Sequence, residues 1–214
     1  YFTNPQTSED NITYGVMLDD EFIDMASIIN SYMNINGYAP CYVSNISLGD
    51  NMCFESLVYT YSQIMSSYNS TDGTLSDSVT VIPWKAISNP NKVYNFRTQE
   101  FFDTIQLAIT GSENNDTIVI GNGIFTENVV VNKILKITSL FGNTIVNAQY
   151  TTLPVFTIEI NGSGSIIQNL IINGSTSNAG VYINNSNNNT IFGNNITGNL
   201  YGIYVNNSTA NEIS

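Results

Sequence analysis

Gly180-Val181-Tyr182-Ile183-Asn184-Asn185-Ser186 returns 22 positions later as Gly202-Ile203-Tyr204-Val205-Asn206-Asn207-Ser208, and Asn189-Thr190-Ile191 returns as Asn211-Glu212-Ile213. A repeat this short, built of β-branched residues split by Asn and Gly, cannot close a core of its own and must stack on copies of itself. Helical repeats are mostly longer, at roughly 33 to 47 residues, so the period predicts a parallel β-helix. Working outward, Val155-Phe156-Thr157-Ile158 aligns with Gly180 to Ile183, and Ile167 to Ile172 aligns with Ile191 to Ile196. Thr117 to Ile120, Val129 to Val131 and Leu135 to Thr138 are further apolar runs, each too short for a helix. Alternation of Phe156, Ile158 and Ile160 with Thr157 and Glu159 assigns the first set to the core and the second to water. In this register Tyr182 and Tyr204 stack on the outer face, opposite in phase to Val181, Ile183, Ile203 and Val205. Asn184 falls over Asn206 and Asn185 over Asn207, which suits amide ladders running along in-register strands.

Composition narrows the function classes. Charged residues make up 10% of the 214, the net charge is −12 and there is no histidine. The five cations, Lys85, Lys92, Arg97, Lys133 and Lys136, form no stripe that could neutralise phosphates, which argues against nucleic acid as a partner. Residues 1–90 carry ten acids and one base, net −9, and the remainder seven acids and four bases, net −3, so the two halves read as different modules. No apolar run reaches the roughly 18 residues of a membrane span, so no membrane contact is expected within this stretch. A signal or anchor, if there is one, is expected outside it.

The N-terminal half reads as two helices. Phe22, Ala26, Ile29 and Met33 follow helical spacing behind Asp19, Asp20 and Glu21, acids that favour the positive end of a helix dipole. Gly37 and Pro40 end that helix. A second stripe comprises Phe54, Leu57, Val58, Tyr61, Ile64 and Met65, with Asp50 or Asn51 as its expected cap and Tyr38 to Val43 as an extended connection. The acids from Asp19 to Asp24 lack the spacing of a calcium loop, so they are read as a helix start and no metal or cofactor is expected. Cys41 and Cys53 flank the connection. A disulfide between them and two thiols packed as small apolar groups both remain open.

Two stretches resemble known families. Ala26-Ser-Ile-Ile-Asn-Ser-Tyr32, Asn36-Gly37, Ala39-Pro40-Cys-Tyr-Val43 and Phe54-Glu-Ser-Leu-Val-Tyr59 resemble the pseudomurein-binding repeat of methanogenic archaea, with a single repeat where that family usually has several. Phe101-Phe-Asp-Thr-Ile-Gln-Leu-Ala-Ile109, Asp116-Thr-Ile-Val-Ile120 and Gly123-Ile-Phe-Thr-Glu-Asn-Val129 resemble the opening of the pectate-lyase-like β-helices in methanogen adhesin-like proteins. The resemblance implies a right-handed parallel β-helix, with a short helix opened by Thr98 that plugs its first coil, and a surface protein fixed to pseudomurein. The expected organisation is therefore an extended lead-in over 1–18, a helical module over 19–70, a linker over 71–97 and the β-helix over 98–214. Since the module is acidic, its grip on the wall polymer is expected to rest on Tyr38, Tyr42, Tyr59 and Tyr61 rather than on charge. The last coil is incomplete at Ser214, so further coils or another subunit are expected to stack on it.

Catalysis is not expected. Glycoside hydrolysis needs two carboxylates about 5 to 9.5 Å apart, yet beyond Lys136 only Glu159 and Glu212 remain, in well-separated coils. A lyase needs a base and cations against the uronate, and no Lys, Arg, Asp or His follows Lys136. Glu100, Asp103, Glu113, Asp116 and Glu127 fall in the cap and first coils, where solvation is the expected role. Alternative readings are an adhesin whose β-helix flank grips a host or neighbour glycan, and a fragment of a polysaccharide lyase or hydrolase. Asn-x-Ser/Thr occurs eleven times. Asn11, Asn45, Asn69 and Asn115 lie in expected loops and lead as glycosylation candidates, followed by Asn161, Asn173, Asn188, Asn195 and Asn207, while Asn184 and Asn206 compete with ladder packing.

Overall fold

The computed structural model describes residues 10–13, 15–69, 73–89 and 91–214, with the Asn45 side chain outside the described set. The chain divides into two compact units, Tyr1–Ser88 and Asn89–Ser214. Among the described residues no helix is long and apolar enough to cross a membrane.

The first unit contains β1 (Asn11–Ile12), β2 (Gly15–Leu18), α1 (Asp19–Asn36), β3 (Tyr42–Ile46), β4 (Gly49–Cys53), α2 (Phe54–Ser66), β5 (Ser78–Val81) and the short α3 (Trp84–Ile87). Both expected helices are present, but they are joined by the antiparallel hairpin β3–β4 rather than by an extended connection. The stretch read as a lead-in supplies β1, which pairs with β4, and β2, which pairs antiparallel with β5 from the stretch read as a linker. The unit therefore runs well past residue 70. Helix α1 buries Phe22 and Met25 with Ile29 packed behind them, so its apolar stripe is turned one position from Ala26, which is exposed. Helix α2 buries Leu57 and Ile64 together with Ser56 and Thr60, leaving Val58 and Met65 in water. Gly37 ends α1 in the left-handed conformation, its N–H donating to Met33 O at 2.8 Å. Gly49 cannot carry a side chain, because a Cβ there would overlap Asn11 O across the β1–β4 pair.

Neither Asp50 nor Asn51 caps α2, since both lie in β4. Asp10 does this work from a distance. Its Oδ1 accepts from Cys53 N at 2.7 Å, and its Oδ2 accepts from the buried Ser56 Oγ at 2.5 Å and from Trp84 N at 2.8 Å. One carboxylate thus satisfies amides at the starts of two helices. Glu21 acts similarly, accepting from Ser47 N and Ser47 Oγ, both at 2.6 Å, so that the acid run at α1 anchors the hairpin turn.

The second unit is a parallel β-solenoid. Its strands are β6 (Val93–Asn95), β7 (Glu100–Phe102), β8 (Asp116–Ile120), β9 (Ile124–Thr126), β10 (Val129–Val131), β11 (Leu135–Ser139), β12 (Ile145–Asn147), β13 (Phe156–Ile158), β14 (Ile166–Gln168), β15 (Ile171–Asn173), β16 (Ala179–Asn184), β17 (Thr190–Phe192), β18 (Asn195–Ile196), β19 (Tyr201–Asn206) and β20 (Glu212–Ile213), with α4 (Ile105–Thr110) before β8. Three strands make one coil. The first sheet stacks β8, β11, β14, β17 and β20, the second β9, β12, β15 and β18, and the third β10, β13, β16 and β19. Inward residues form columns, such as Ile118, Ile137, Ile167 and Ile191, or Val129, Phe156 and Val181, all at most 1% exposed. The expected register holds throughout this region, including Tyr182 beside Tyr204 and Asn184 beside Asn206. Ile160 departs from it. It sits in a 3-10 turn, 65% exposed, because the strand ends at Ile158.

Coil length is set at the corners. Ile137 pairs with Ile167, a step of 30 residues, whereas Ile191 pairs with Ile213, a step of 22. Five corner asparagines, Asn115, Asn169, Asn185, Asn188 and Asn207, have φ between 45 and 72°, a region that Asn tolerates better than branched residues. Others hold neighbouring coils together. Ser165 N donates to Asn189 Oδ1 at 3.1 Å, and Asn189 N and Nδ2 both donate to Asn211 Oδ1 at 2.9 Å. Ser165 and Asn189 are fully buried, so these amides replace water that cannot reach the turn.

The first coil is closed by α4, with Ile105, Ala108 and Ile109 buried against the core. Thr98 is not its cap. The helix starts later, with Thr104 as N-cap accepting from Leu107 N at 3.1 Å, because β7 and the preceding turn occupy residues 98–102.

Candidate functional site

The four tyrosines expected to face the wall polymer separate into two groups. Tyr38 and Tyr42 are exposed. Tyr32 joins them: its ring meets Tyr38 edge-on with centroids 5.8 Å apart, and its hydroxyl donates to that of Tyr38 at 3.5 Å. The Tyr32 hydroxyl is held above its ordinary pKa, first by the bond to Tyr38, then by burial and by the neighbouring Tyr38, Cys41 and Tyr42. Tyr61 belongs to the core. It packs behind α1, donates to Phe22 O at 2.7 Å and has its hydroxyl pushed up to about 12 by burial. Tyr59 is half-buried on α2, and burial raises its pKa too. The exposed Tyr38 and Tyr42 and the half-buried Tyr32 thus group on one side of this unit. Tyr32 was hidden in the sequence because it sits in the last turns of a helix whose other residues alternate polar and apolar without a sharp face.

Cys41 and Cys53 stand as thiols. Burial, above all, pushes the Cys53 thiol up to about 12, which keeps it protonated and unreactive at neutral pH.

In the solenoid four of the upstream acids, Asp103, Glu113, Asp116 and Glu127, are held by specific partners, while Glu100 is exposed. Arg97 Nε donates to Asp116 Oδ1 at 2.6 Å and Arg97 Nη2 donates to Oδ2 at 3.2 Å, while Asn95 Nδ2 and Glu113 N also donate to Oδ2. Burial opposes the charge on Asp116 most strongly, yet these donors together hold its carboxyl below the usual range. Asp103 pairs with Lys92, and Glu113 lies 3.6 Å from Arg97. Glu127 accepts from Ile105 N at 2.9 Å and Gln106 N at 3.0 Å, the first amides of α4. Lys133 Nζ reaches the other end of that helix and donates to Ile109 O, Thr110 O and Ser112 O at 2.9, 2.8 and 2.6 Å. Gln106 completes the clamp, its Oε1 accepting from Val130 N and its Nε2 donating to Val130 O. A shallow pocket of about 260 Å³ lies between Asp103, Thr104 and the β9 turn, but Glu127 at its wall is already committed to the helix. Among the described residues no three Cys, Asp or Glu side chains gather as a metal site.

Of the glycosylation candidates, Asn11, Asn69, Asn115, Asn161, Asn188, Asn195 and Asn207 are exposed and Asn173 is half-buried. The Asn45 side chain lies outside the described residues. Asn206 Nδ2 donates to Asn184 Oδ1 at 3.1 Å and Asn207 Nδ2 to Asn185 Oδ1 at 2.6 Å, so the amide ladder exists at both corner positions.

The chain is 35% identical over 118 residues to a cell surface glycoprotein of Methanothermus fervidus. The matched stretch covers 54% of this chain and 19% of that protein, so the chain spans about a fifth of the relative's length. Neither a known protein-family profile nor a solved structure matches the chain.

Proposed function

We propose that this chain is part of a non-catalytic cell-surface protein, in which the helical unit fastens to pseudomurein and the β-solenoid serves as a stalk. The likeness to a methanogen cell surface glycoprotein over 118 residues supports the cell-surface part of this reading. Two features support it. The two carboxylates that line the pocket beside α4 are already engaged, Asp103 with Lys92 and Glu127 with the first amides of the helix, which speaks for a structural role rather than an acid–base pair. The exposed Tyr38 and Tyr42, backed by the half-buried Tyr32, give the acidic unit a neutral, aromatic contact surface for a polymer it cannot attract by charge. Sedimentation with purified pseudomurein sacculi tests the attachment. The full chain should pellet equally at low and moderate salt, and Y38A/Y42A should stay largely in the supernatant. A wild-type chain that fails to pellet, or that is released by moderate salt, refutes the reading.

A further inference from the structure

The outer face of the third sheet carries a feature that a stalk does not need. Tyr182 on β16 and Tyr204 on β19 lie side by side with ring centroids 5.4 Å apart and planes tilted by 35°. Tyr201 extends the row, 5.6 Å from Tyr204 at 33°. Rings that serve packing alone are covered in this protein: Tyr94, set between Phe96 and Phe101, is 3% exposed. Tyr182, one coil in from the last strand, is instead half-buried and faces away from the core, opposite in phase to the buried Val181 and Ile183, and Tyr204 pairs with it in register.

Polar groups flank the row. The Tyr182 hydroxyl donates to Asn184 Oδ1 at 3.2 Å, and Asn206 Nδ2 donates to the same oxygen at 3.1 Å. Among the described residues, Asn184 Nδ2 donates to no protein group and Asn206 Oδ1 accepts from none. The stacking that fixes these amides therefore leaves one donor, Asn184 Nδ2, and one acceptor, Asn206 Oδ1, without a protein partner beside the tyrosine pair. Neighbouring strands lie about 4.8 Å apart, so Tyr182 and Tyr204 follow one another along the axis, while Tyr201 stands beside Tyr204 on the same strand. Outward positions of the sheet, Val130, Thr157, Tyr182 and Tyr204, bear no charge. No cation is present there to pair with a uronate or sulfate, and the net charge of −12 repels acidic polymers.

We propose that Tyr182, Tyr204 and Tyr201 form a binding site for a neutral polysaccharide, a hexose or N-acetylhexosamine chain that lies along the solenoid axis. Sugar faces stack on the rings, and ring hydroxyls bond to Asn184 Nδ2 and Asn206 Oδ1. The site is separate from the tyrosine patch of the helical unit and does not depend on wall attachment.

Affinity electrophoresis tests it, with the full chain made unglycosylated in a bacterial host so that no sugar on Asn206 covers the shelf. Gels contain galactomannan, mixed-linkage β-glucan, mannan, glycol chitin or, as the acidic counterpart, polygalacturonate. Retardation is expected in at least one neutral gel and not in polygalacturonate, with an apparent affinity that Y182T and Y204T each lower at least tenfold and that added salt leaves unchanged. Threonine suits an outward strand position, and the exposed Tyr201→Ser provides a variant that does not touch the core. Y38A/Y42A should be retarded like wild type, so failure of wall attachment and failure of this site remain distinguishable. Three results overturn the proposal: no retardation in any neutral gel, retardation unaffected in all three variants, or a dimer in sedimentation equilibrium that Y204T dissociates.

Discussion

Removing either end of the clamp on α4 should cost the solenoid a large part of its stability, although the altered residues are half-buried and lie outside the hydrophobic columns. Glu127 satisfies two first-turn amides that have no acceptor within the helix, and its charge sits at the positive end of the dipole. Hydrogen bonds to a charged group contribute about 1.5 to 3 kcal/mol each. Partial exposure places both at the lower end, so E127A should cost about 3 kcal/mol. Lys133 gathers three terminal carbonyls on one ammonium, and K133A should cost a similar amount. At about 4 °C per kcal/mol for a unit of this size, each variant should melt roughly 10 °C lower. The two side chains hold one helix, so the double variant should lose less than the two single losses together. The assay is thermal and urea denaturation of the full chain followed by far-UV circular dichroism, with exposed Glu159→Ala as a control expected within about 0.5 kcal/mol of wild type. Light scattering should rise in E127A and K133A, because a loosened α4 uncovers the first coil and the apolar faces of Ile105 and Ile109. If E127A and K133A both melt within about 2 °C of wild type, α4 is held by burial alone and the electrostatic account is wrong.

Three further outcomes follow from buried polar contacts. N189A should cost about 2 to 4 kcal/mol in urea midpoint measurements, since it strands Ser165 N inside the corner, whereas the exposed ladder variant N207A should cost under about 1 kcal/mol. D10A should destabilise the first unit by about 3 kcal/mol, read from the near-UV signal of Trp84, because Cys53 N and the buried Ser56 hydroxyl lose their acceptor. Asp116 should make the solenoid acid-sensitive. Its folded pKa lies below the unfolded value of about 3.9, so its contribution is complete above that pH and fades as pH falls through the folded value. Urea midpoints of wild type and D116N should differ most at pH 6 and draw together as pH falls below the unfolded value; a difference that grows as the solution is acidified contradicts the assignment.

The solenoid was legible because its signal is periodic. Columns such as Ile167 over Ile191, and the pairings of Tyr182 with Tyr204 and Asn184 with Asn206, follow directly from the 22- to 25-residue offsets. The cap was only half legible. Ile105, Ala108 and Ile109 show an apolar face, but a helix of six residues gives a weak period, and Thr98 and Thr104 are equally good caps by residue type. What clamps it, Glu127 and Lys133, comes from the following coil more than 20 residues away, at a distance no local pattern encodes. The first unit was misread for the same reason. Ile12, Met17, Val79 and Val81 lie in strands too short for alternation to register, yet they are core residues, and Asp10 reaches its partners across 43 to 74 positions. Tyr61 was assigned to ligand contact because an exposed and a core-facing tyrosine look alike until Phe22 O is placed next to its hydroxyl.

The asparagines show why residue type alone could not separate structural from modifiable positions, and the contacts now do so. Transfer of a glycan requires the Nδ2 atom to be reached, and in the ladders that atom is donating: Asn206 to Asn184, Asn207 to Asn185, and in the first unit Asn11 to Asp50 at 3.0 Å. Modification there must first break a bond that holds neighbouring strands. Asn115, Asn161 and Asn188 lie at exposed corners and Asn195 is exposed at the start of β18, and among the described residues none of their side-chain amides donates a hydrogen bond. If sugar is added to the folded chain, occupancy should therefore favour these four over Asn11, Asn206 and Asn207, an order that reverses the expectation for Asn11. Mass-spectrometric peptide mapping of natively sourced protein measures that order site by site. Glycan concentrated on Asn206 and Asn207, with Asn161 and Asn188 bare, means that transfer precedes coil stacking, and the folded contacts then have no part in choosing the sites.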